Sequence, residues 1–163
     1  MEFVSHTLRR KDRIMIDADA LRLLREAEFG VLSMVSDNGA YGIPITYAWD
    51  GSSTLYFHGA HVGRKIDCLQ KNPHVSFCIV GKTRVLRKEA SVAYESLILE
   101  GTVKLNLSNE EKRHGLGLIV NRFSDGNQPG VGHMDERMLD RVNVWKMDVL
   151  TISGKRRPDP DAS

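Results

Sequence analysis

The sequence predicts a mainly β fold, a β-barrel of six or so antiparallel strands with peripheral helices. Short apolar or alternating segments recur along the chain, hairpin turn signals separate them, and only single helical segments interrupt them. The chain also has 163 residues, which is enough for one compact domain with a sizeable core. We therefore expect a single domain at residues 17–155, after a basic lead-in at 1–16 and before a charged tail at 156–163.

The composition argues against several classes of protein. Hydrophobic residues make up 41% and charged residues 27%, as in ordinary globular chains rather than disordered ones. The net charge of +2 does not indicate a nucleic-acid or membrane-surface protein. No apolar run approaches the roughly 20 residues that span a bilayer, and residues 1–13 lack the apolar core of a signal peptide. Cys68 and Cys78 form no Cys-x-x-Cys pair, so we expect free thiols and a cytoplasmic protein.

A helix is predicted at the start of the domain. Asp17 or Asp19 can cap it, its pattern runs to about Glu28, and Gly30 suits a C-terminal stop. Its apolar face is set by Leu21, Leu24 and Ala27 or Glu28.

A β-hairpin is predicted after this helix. Residues 30–36 form an apolar run typical of a buried strand, and Asn38-Gly39 is the strongest local signal for a tight turn. The returning strand, residues 41–49, alternates between large and small side chains. One face carries Tyr41, Ile43, Ile45, Tyr47 and Trp49, and the other carries Gly42, Pro44, Thr46 and Ala48.

The small side chains of this strand form a shelf, defined as Gly42, Pro44, Thr46 and Ala48. A flat ligand can approach the backbone closely over such a shelf, although a helix can cover it equally well. Pro44 provides no N–H to the sheet, which indicates an edge strand, a bulge or a stretch that faces a ligand.

The middle of the chain alternates strands with one helix. Residues 54–58 and 74–80 are predicted as strands, and a helix between them runs from about Arg64 to Lys71 with Ile66, Cys68 and Leu69 inward. Residues 81–90 are predicted as a basic loop, and residues 91–105 as a long strand or a bent pair.

The last third of the chain is predicted to contain two helices and a strand. Ser108-Asn109-Glu110-Glu111 is a capping box, and the apolar spacing of a helix continues from it through Phe123. Residues 124–133 are Gly-rich and are predicted as a mobile loop. A short helix at 134–141 then leads into a final strand at 142–152.

The most specific segment is Gly63-Arg64-Lys65, where a glycine-containing loop enters a helix. The first turn of a helix exposes N–H groups and a partial positive charge, so it suits a bound anion. Arg64 can grip two phosphate oxygens, and Lys65 adds a point charge. Cations here oppose the helix dipole, so their placement makes better sense with a dianion bound between them. A solvated Arg-Lys pair, which is common on helices, remains the alternative. The segment is not a Walker-type loop.

These residues resemble the FMN phosphate-binding signature of pyridoxamine-phosphate-oxidase-like flavoproteins. The shared order is a strand, a glycine-containing loop, Gly-Arg-Lys, an apolar helix and then Asn-Pro-x-Val-Ser at 72–76. The residues at 9–13 and the segment Phe57-His58-Gly59-Ala60 are similar to the Nim-type, nitroimidazole-resistance branch, as is Tyr94-Glu95-Ser96. The resemblance covers about residues 9–155 and implies the FMN-binding split-barrel fold.

The resemblance also implies where each part of the cofactor would bind. Arg64 and Lys65 would bind the phosphate, His58 and Gly59 would line the ribityl and ring region, and Ser96 would reach the ring or the ribityl chain. The strand under the isoalloxazine ring would be Ile43, Pro44, Ile45, Thr46 and Tyr47.

The function implied by this resemblance is that of an oxidoreductase with FMN at the interface of a homodimer. It would pass electrons from a nicotinamide nucleotide to a small organic acceptor of the nitroaromatic type. The alternative is a non-catalytic flavin- or haem-binding carrier or sensor, because related split barrels hold haem through an axial His. The substrate residues of pyridoxamine phosphate oxidases are not recognisable near the C-terminus, so we do not expect that substrate.

Two histidines and several basic clusters leave other interpretations open. His58 can donate a proton during substrate reduction, or it can simply hydrogen-bond the cofactor or a strand carbonyl. His58 and His61 form an HxxH pattern, but no further ligands have diagnostic spacing, so we expect no metal site. The basic clusters lack interleaved exposed aromatic residues, so we expect neither a nucleic-acid nor a membrane partner.

Overall fold

The computed structural model of the protein describes residues 1–4, 8–125, 131 and 134–161. In this part of the chain the helices are α1 (Asp17–Glu26), α2 (Arg64–Lys71), α3 (Asn109–Phe123) and α4 (Glu136–Arg141). The strands are β1 (Glu2–Phe3), β2 (Phe29–Ser36), β3 (Gly39–Thr46), β4 (Ala48–Trp49), β5 (Thr54–Gly59), β6 (His74–Leu86), β7 (Ser91–Lys104) and β8 (Asn143–Arg157).

The strands form one sheet in the order β3-β2-β6-β7-β8-β5-β4, and β1 pairs with β8. All pairings are antiparallel except that of β1. The two edge strands, β3 and β4, are separated in the chain by Tyr47 alone, so the sheet must curl until its edges meet. This closure makes a barrel with helices on its outside. The predicted mainly β barrel with peripheral helices is therefore confirmed, with six long strands and two of two residues each in the described ranges.

The core lies inside the barrel and is strongly aromatic. Phe57 and Trp145 are fully buried and stack with ring centroids 4.3 Å apart, and Phe77 meets Phe57 edge to face at 5.5 Å. Burial of each such side chain stabilises the fold by about 1.5–3 kcal/mol, so this cluster contributes strongly to the barrel's stability. Side chains alternate along a strand, so Phe57 on β5, Phe77 on β6 and Trp145 on β8 all lie on the strand faces that point into the barrel.

The first helix differs from its predicted form at both ends. Ile16 occupies the N-cap without a side-chain hydrogen bond, so neither Asp17 nor Asp19 caps α1. The helix ends at Glu26, and Gly30 lies inside β2 instead of stopping the helix. Its buried side chains are Ala20, Leu23 and Leu24, so of the predicted face only Leu24 is buried.

A glycine is unnecessary at the end of α1 because two distant side chains satisfy its last carbonyls. Tyr47 Oη donates a 2.6 Å hydrogen bond to the Leu24 carbonyl, and Arg122 of α3 donates to the carbonyl of Ala27. Burial raises the pKa of Tyr47 to about 12, so its hydroxyl stays protonated and able to donate. No local sequence signal announces such a long-range cap.

The predicted basic loop at residues 81–90 is wrong, because β6 continues to Leu86. A bulge between Val80 and Thr83 shifts the register, after which Leu86 pairs with Ser91 of β7. A 3-10 turn at Arg87–Glu89 and a left-handed Ala90 close this ribbon. The basic side chains that suggested a loop line an exposed two-stranded ribbon. β8 likewise runs to Arg157, past its predicted end, because the long β7 provides a partner throughout.

The predicted capping box at the start of α3 is confirmed. Glu111 N donates to Ser108 Oγ at 3.2 Å, and the Glu111 carboxylate accepts from Ser108 N at 3.0 Å. That backbone bond and the ammonium of Lys146, 3.1 Å from Glu111, lower the pKa of Glu111 to about 2. At the other end, Phe123 is half exposed rather than inward.

The Gly-rich segment and the two chain ends are only partly described. Most of the segment predicted as a mobile loop, residues 126–130 and 132–133, lies outside the described residues. The division into lead-in, domain and tail remains a prediction, although Met15 is buried and β8 includes the first tail residues. Within the described ranges, no helix has the length and apolar character needed to cross a membrane.

Candidate functional site

The start of α2 is where the sequence predicts it, at Arg64. Gly63 precedes it with φ of +123°, a conformation that favours glycine, and the Gly63 carbonyl accepts from the N–H groups of Ile66 and Asp67. Because the N-cap is a glycine, no side chain caps the helix. The first-turn N–H groups of Arg64 and Lys65 therefore remain available to an external acceptor.

Arg64 is held in place by β2 and β3. Its guanidinium lies over the Tyr41 ring, 3.9 Å from the centroid, and its Nη2 is 3.4 Å from Ser36 Oγ. Stacking leaves the edge of the guanidinium, where its N–H donors lie, free to bind a planar or tetrahedral anion. The alternation of the strand predicts only a packing role for Tyr41 and gives no sign of its contact with Arg64.

Lys65 lies over the end of β5. A Cβ atom built on Gly59 would be 2.9 Å from Lys65 Nζ, so the absence of a side chain at Gly59 makes room for the ammonium. In the part of the chain that the structure describes, neither Arg64 nor Lys65 forms an ion pair with a carboxylate. The predicted pair of neighbouring cations is thus assembled without a counter-charge from the described chain.

The predicted shelf lies on β3, an edge strand, which is one of the three positions that Pro44 indicated. The small side chains of Gly42, Pro44 and Thr46 are exposed, while the opposite face of the strand packs on the core. Ala48 is buried, so the shelf is shorter than predicted. It ends there because the chain leaves β3 at Tyr47 to begin β4.

The other predicted site residues, His58 and Ser96, lie at different distances from Arg64, Lys65 and the shelf. His58 precedes Gly59 on β5 with an exposed side chain, and the alternation of the strand directs it to the face opposite the one where Gly59 meets Lys65. Ser96 lies on β7, which β2 and β6 separate from β3. Three strand spacings correspond to about 14 Å. A single chain therefore brings Gly59, Arg64 and Lys65 together, whereas Ser96 is three strands away from the shelf on β3. The roles assigned to His58 and Ser96 stay predictions.

Two hydrogen bonds that the sequence did not predict fix the loop before α2. Asn143 Nδ2, at the start of β8, donates to the Ala60 carbonyl at 2.7 Å. His61 Nε2 donates to the Arg141 carbonyl at 3.1 Å. The partners lie about 80 residues away in sequence, so no local pattern could have revealed them. His61 and Asn143 thus attach the loop to the end of α4 and to the start of β8.

The outer face of the sheet carries a group of exposed apolar side chains. They stand on the core-distal faces of β2, β6 and β7, and we call them the outer apolar face: Phe29, Val31, Val80 and Ile98. Phe29 is 56% and Val80 60% exposed. Val31 pairs with Pro44 on one side and with Cys78 on the other, so the face is continuous with the shelf.

The sequence matches a known protein family. The family model described as pyridoxamine 5'-phosphate oxidase matches residues 17–156. No curated protein sequence matches the chain.

Solved structures share the fold at low sequence identity. A candidate 5-nitroimidazole antibiotic resistance protein from Bacteroides thetaiotaomicron is 24% identical with a TM-score of 0.73, covering 87% of this chain and 85% of its own. The FAD and heme binding protein of Mycobacterium smegmatis is 18% identical with a TM-score of 0.74, covering 91% and 75%. A flavocytochrome from Azotobacter vinelandii is 16% identical with a TM-score of 0.75, covering 97% and 75%.

The Asn143 anchor generates a prediction about the loop. We expect Asn143→Ala to accelerate amide hydrogen exchange across residues 59–63 by about 2- to 10-fold, because one hydrogen bond contributes roughly 0.5–1.5 kcal/mol. Hydrogen–deuterium exchange mass spectrometry measures this directly. Asn121→Ala, at an exposed position of α3, is the matched control and should leave the loop unchanged. Equal exchange in both variants would show that the bond does not hold the loop.

Proposed function

Because the chain belongs to the pyridoxamine 5'-phosphate oxidase family, we propose that it is an FMN-binding oxidoreductase. It would take electrons from a nicotinamide nucleotide and deliver them to a small organic acceptor of the nitroaromatic type. The pair of cations at the start of α2 carries this proposal, since no carboxylate among the described residues pairs with them and they form a ready site for the cofactor phosphate.

The residues of this corner fit a phosphate. Arg64 offers the free edge of its guanidinium, Lys65 offers an ammonium, and the uncapped first turn of α2 offers backbone N–H groups. A phosphate monoester carries a charge of about −2 near neutral pH, which these two cations balance. Gly59 matters because any larger side chain would push the Lys65 ammonium away from the loop.

The exposed shelf fits a flat ring. Gly42, Pro44 and Thr46 leave the outer side of β3 open, whereas Arg64 touches this strand at Tyr41, three residues from Pro44 and on the core-facing side. In an extended strand this separation is about 10 Å. Because β3 is an edge strand, we propose that the ligand passes round its free edge, so that the backbone from Ile43 to Tyr47 underlies the ring while α2 binds the phosphate.

When bound, the flavin supplies the redox chemistry, and the protein binds and orients it. The resemblance assigns His58, which is exposed on β5, to hydrogen-bond the ribityl chain or to supply a proton to a reacting substrate. The assignment of a nitroaromatic-type acceptor rests on the Nim-type resemblance and on the relative from Bacteroides thetaiotaomicron.

A second candidate is a flavin- or haem-binding carrier or sensor without catalytic activity. Two relatives with the same fold favour it, one named for binding FAD and heme and one named a flavocytochrome. Both candidates use the same corner of the barrel. They differ in whether the bound cofactor passes electrons to a substrate, and not in the site itself.

We also propose that the protein is a homodimer joined through the outer apolar face. A monomer rarely exposes a contiguous apolar patch larger than a few hundred Å² without using it. Phe29, Val31, Val80 and Ile98 lie next to the shelf, so a second copy docked here would also cover one side of the flavin ring.

Removal of both cations tests the phosphate site. We expect Arg64→Ala with Lys65→Ala to weaken FMN binding by about two to four orders of magnitude, because hydrogen bonds to charged groups contribute roughly 1.5–3 kcal/mol each. Isothermal titration of the apo-protein with FMN measures the change, and far-UV circular dichroism should stay that of the wild type. Arg87→Ala with Lys88→Ala, another adjacent and exposed pair, is the matched control. Unchanged FMN affinity in the first variant would refute the phosphate assignment.

Anaerobic mixing with NADH or NADPH separates the two candidate functions. An oxidoreductase with this electron donor should lose the flavin absorbance at about 450 nm, and addition of a nitroaromatic compound should restore it. Stopped-flow absorbance on flavin-loaded protein records both steps. Failure of both nucleotides to bleach the flavin would favour the carrier or sensor, and a Soret band in the purified protein would identify haem.

The dimer is tested by placing a charge on the outer apolar face. We expect Ile98→Glu to convert a dimer into a monomer, because a carboxylate buried at an apolar interface loses its hydration without gaining a partner. Sedimentation velocity gives the mass of each species. Met138→Glu, at an exposed apolar position on α4, should remain dimeric. A wild-type protein that sediments as a monomer at all concentrations would contradict the proposal.

A further inference from the structure

A cavity of about 600 Å³ lies between the β6–β7 ribbon and the end of β8, far from the candidate phosphate site. Arg64 contacts Ser36 at the end of β2. Ser33 of that strand pairs with Ser76 of β6, and Arg84, which lines the cavity, lies eight residues beyond Ser76. Eight residues of an extended strand span about 26 Å. Small-molecule sites typically have volumes of about 300–1,000 Å³, so the cavity is large enough for a ligand of its own.

The cavity is rich in charge, and residues outside it compensate most of that charge. It is lined by four cations and two carboxylates: Lys82, Arg84, Arg156, Arg157, Glu95 and Asp159. Three of these side chains form ion pairs with residues that do not line the cavity: Arg156 with Asp19 at 2.5 Å, Arg157 with Glu89, and Glu95 with Arg22 at 2.8 Å. Among the residues that the structure describes, Lys82 forms no ion pair, and Arg84 pairs only with residues 158–161.

The partners of Arg84 belong to a short segment after β8, residues 158–161, which we call the acidic strap. Arg84 Nε lies 2.8 Å from Asp159 Oδ2, and Arg84 Nη2 pairs with Asp161. The backbone N–H of Asp161 donates to Asp159 Oδ1 at 3.0 Å, so the two carboxylates are held side by side. Pro158 and Asp159 also form one wall of the cavity. The strap therefore places two acid groups of the chain at the cavity's edge.

The contact between Arg84 and the strap leaves the guanidinium poorly used. A guanidinium can bind a single carboxylate through two parallel N–H···O bonds, but here Nε and Nη2 are divided between two carboxylates. Asp159 is half-buried, whereas the side chains of Arg84 and Asp161 are 49% and 73% exposed. Exposed ion pairs are weak and are screened by salt. An incoming acid group that bound both nitrogens of Arg84 could therefore displace the strap.

We propose that the cavity binds a small dicarboxylate, and that the acidic strap competes with this ligand for Arg84. One carboxylate of the ligand would take both nitrogens of Arg84 in place of Asp159 and Asp161, and the other would pair with Lys82. With the strap displaced, Arg84 and Lys82 are the two lining cations that no carboxylate of the described chain compensates. A ligand of charge −2 balances them. The inference uses none of the residues assigned to the flavin.

The experiment measures succinate binding by isothermal titration calorimetry at a constant ionic strength of about 0.1 M. We expect Asp159→Asn with Asp161→Asn to bind succinate about tenfold more tightly than the wild type, because the ligand no longer has to break two ion pairs that are each worth a few-fold in affinity. Adding Arg84→Ala to this variant should weaken succinate binding by about tenfold or more, since it removes a charged hydrogen-bond donor. Truncation after Arg157, which removes the strap, should reproduce the gain.

Matched controls separate the strap from a general change of charge. Glu136→Gln with Asp140→Asn removes the same two charges at exposed positions of α4, near the opposite end of β8, and should bind succinate like the wild type. Arg87→Ala, on the same ribbon but outside the cavity lining, is the control for Arg84→Ala. Inorganic phosphate, which has a single acid group, should gain less than succinate when the strap is neutralised.

Several outcomes would overturn the proposal. Succinate binding that is absent from every variant, or that survives Arg84→Ala unchanged, would show that the cavity is not a dicarboxylate site. Equal affinity in the wild type and the strap-neutralised variant would show that the strap does not compete. An equal gain in the α4 control would assign the effect to net charge, and a larger gain for phosphate would overturn the dicarboxylate assignment. FMN binding should be the same in all these variants, because Arg64 and Lys65 are unchanged.

Discussion

Arg64 and Lys65 lie at the positive end of the α2 dipole, and no carboxylate of the described chain pairs with them. The candidate site depends on packing interactions that offset the electrostatic cost of this placement. Each cation near a helix N-terminus costs about 0.3–1 kcal/mol. The same helix buries Ile66, Cys68 and Leu69, and each fully buried apolar side chain of leucine or isoleucine size stabilises by about 1.5–3 kcal/mol. Packing therefore outweighs the electrostatic cost. The helix can hold Arg64 and Lys65 in an unfavourable position that a bound dianion would relieve.

The candidate site is also preorganised, because the loop before α2 and the end of α2 contact different parts of the fold. The loop before α2 is held by hydrogen bonds of Asn143 and His61, and the exposed Lys71–Asp37 pair adds a weak link between the end of the helix and the hairpin turn. Arg64 is further stacked on Tyr41. A ligand that bound here would meet groups already in position, so little of its binding energy would be spent on ordering them.

Local signals predicted the fold and the centre of the site well, whereas long-range partners were not predictable. The hairpin turn, the start of α2 at Arg64 and the capping box at Ser108 depend on residues a few positions apart, and the structure has all three. The two turn residues are Asp37 and Asn38, and Gly39 already pairs with Ser36. The C-terminus of α1 is different, because side chains from β3–β4 and α3 satisfy its carbonyls. The β6–β7 ribbon also looked like a loop, since charged side chains suit solvent-exposed strands and loops equally. Nothing in the sequence could place Ser96 three strands from β3.

The open geometry of the shelf links the cofactor proposal to the proposed dimer. A small-molecule site usually buries most of its ligand's surface, about 70–90%. In one chain, the shelf provides a surface under one side of a flat ring, and the exposed residues around it leave the other side in water. The outer apolar face begins at Val31, directly paired with Pro44, so a partner that covered it would reach the ring's uncovered side. Dimer formation would then bury the outer apolar face and enclose the flavin ring at the same time. A monomer that binds flavin tightly would require another covering element, which the described part of the chain does not place over β3.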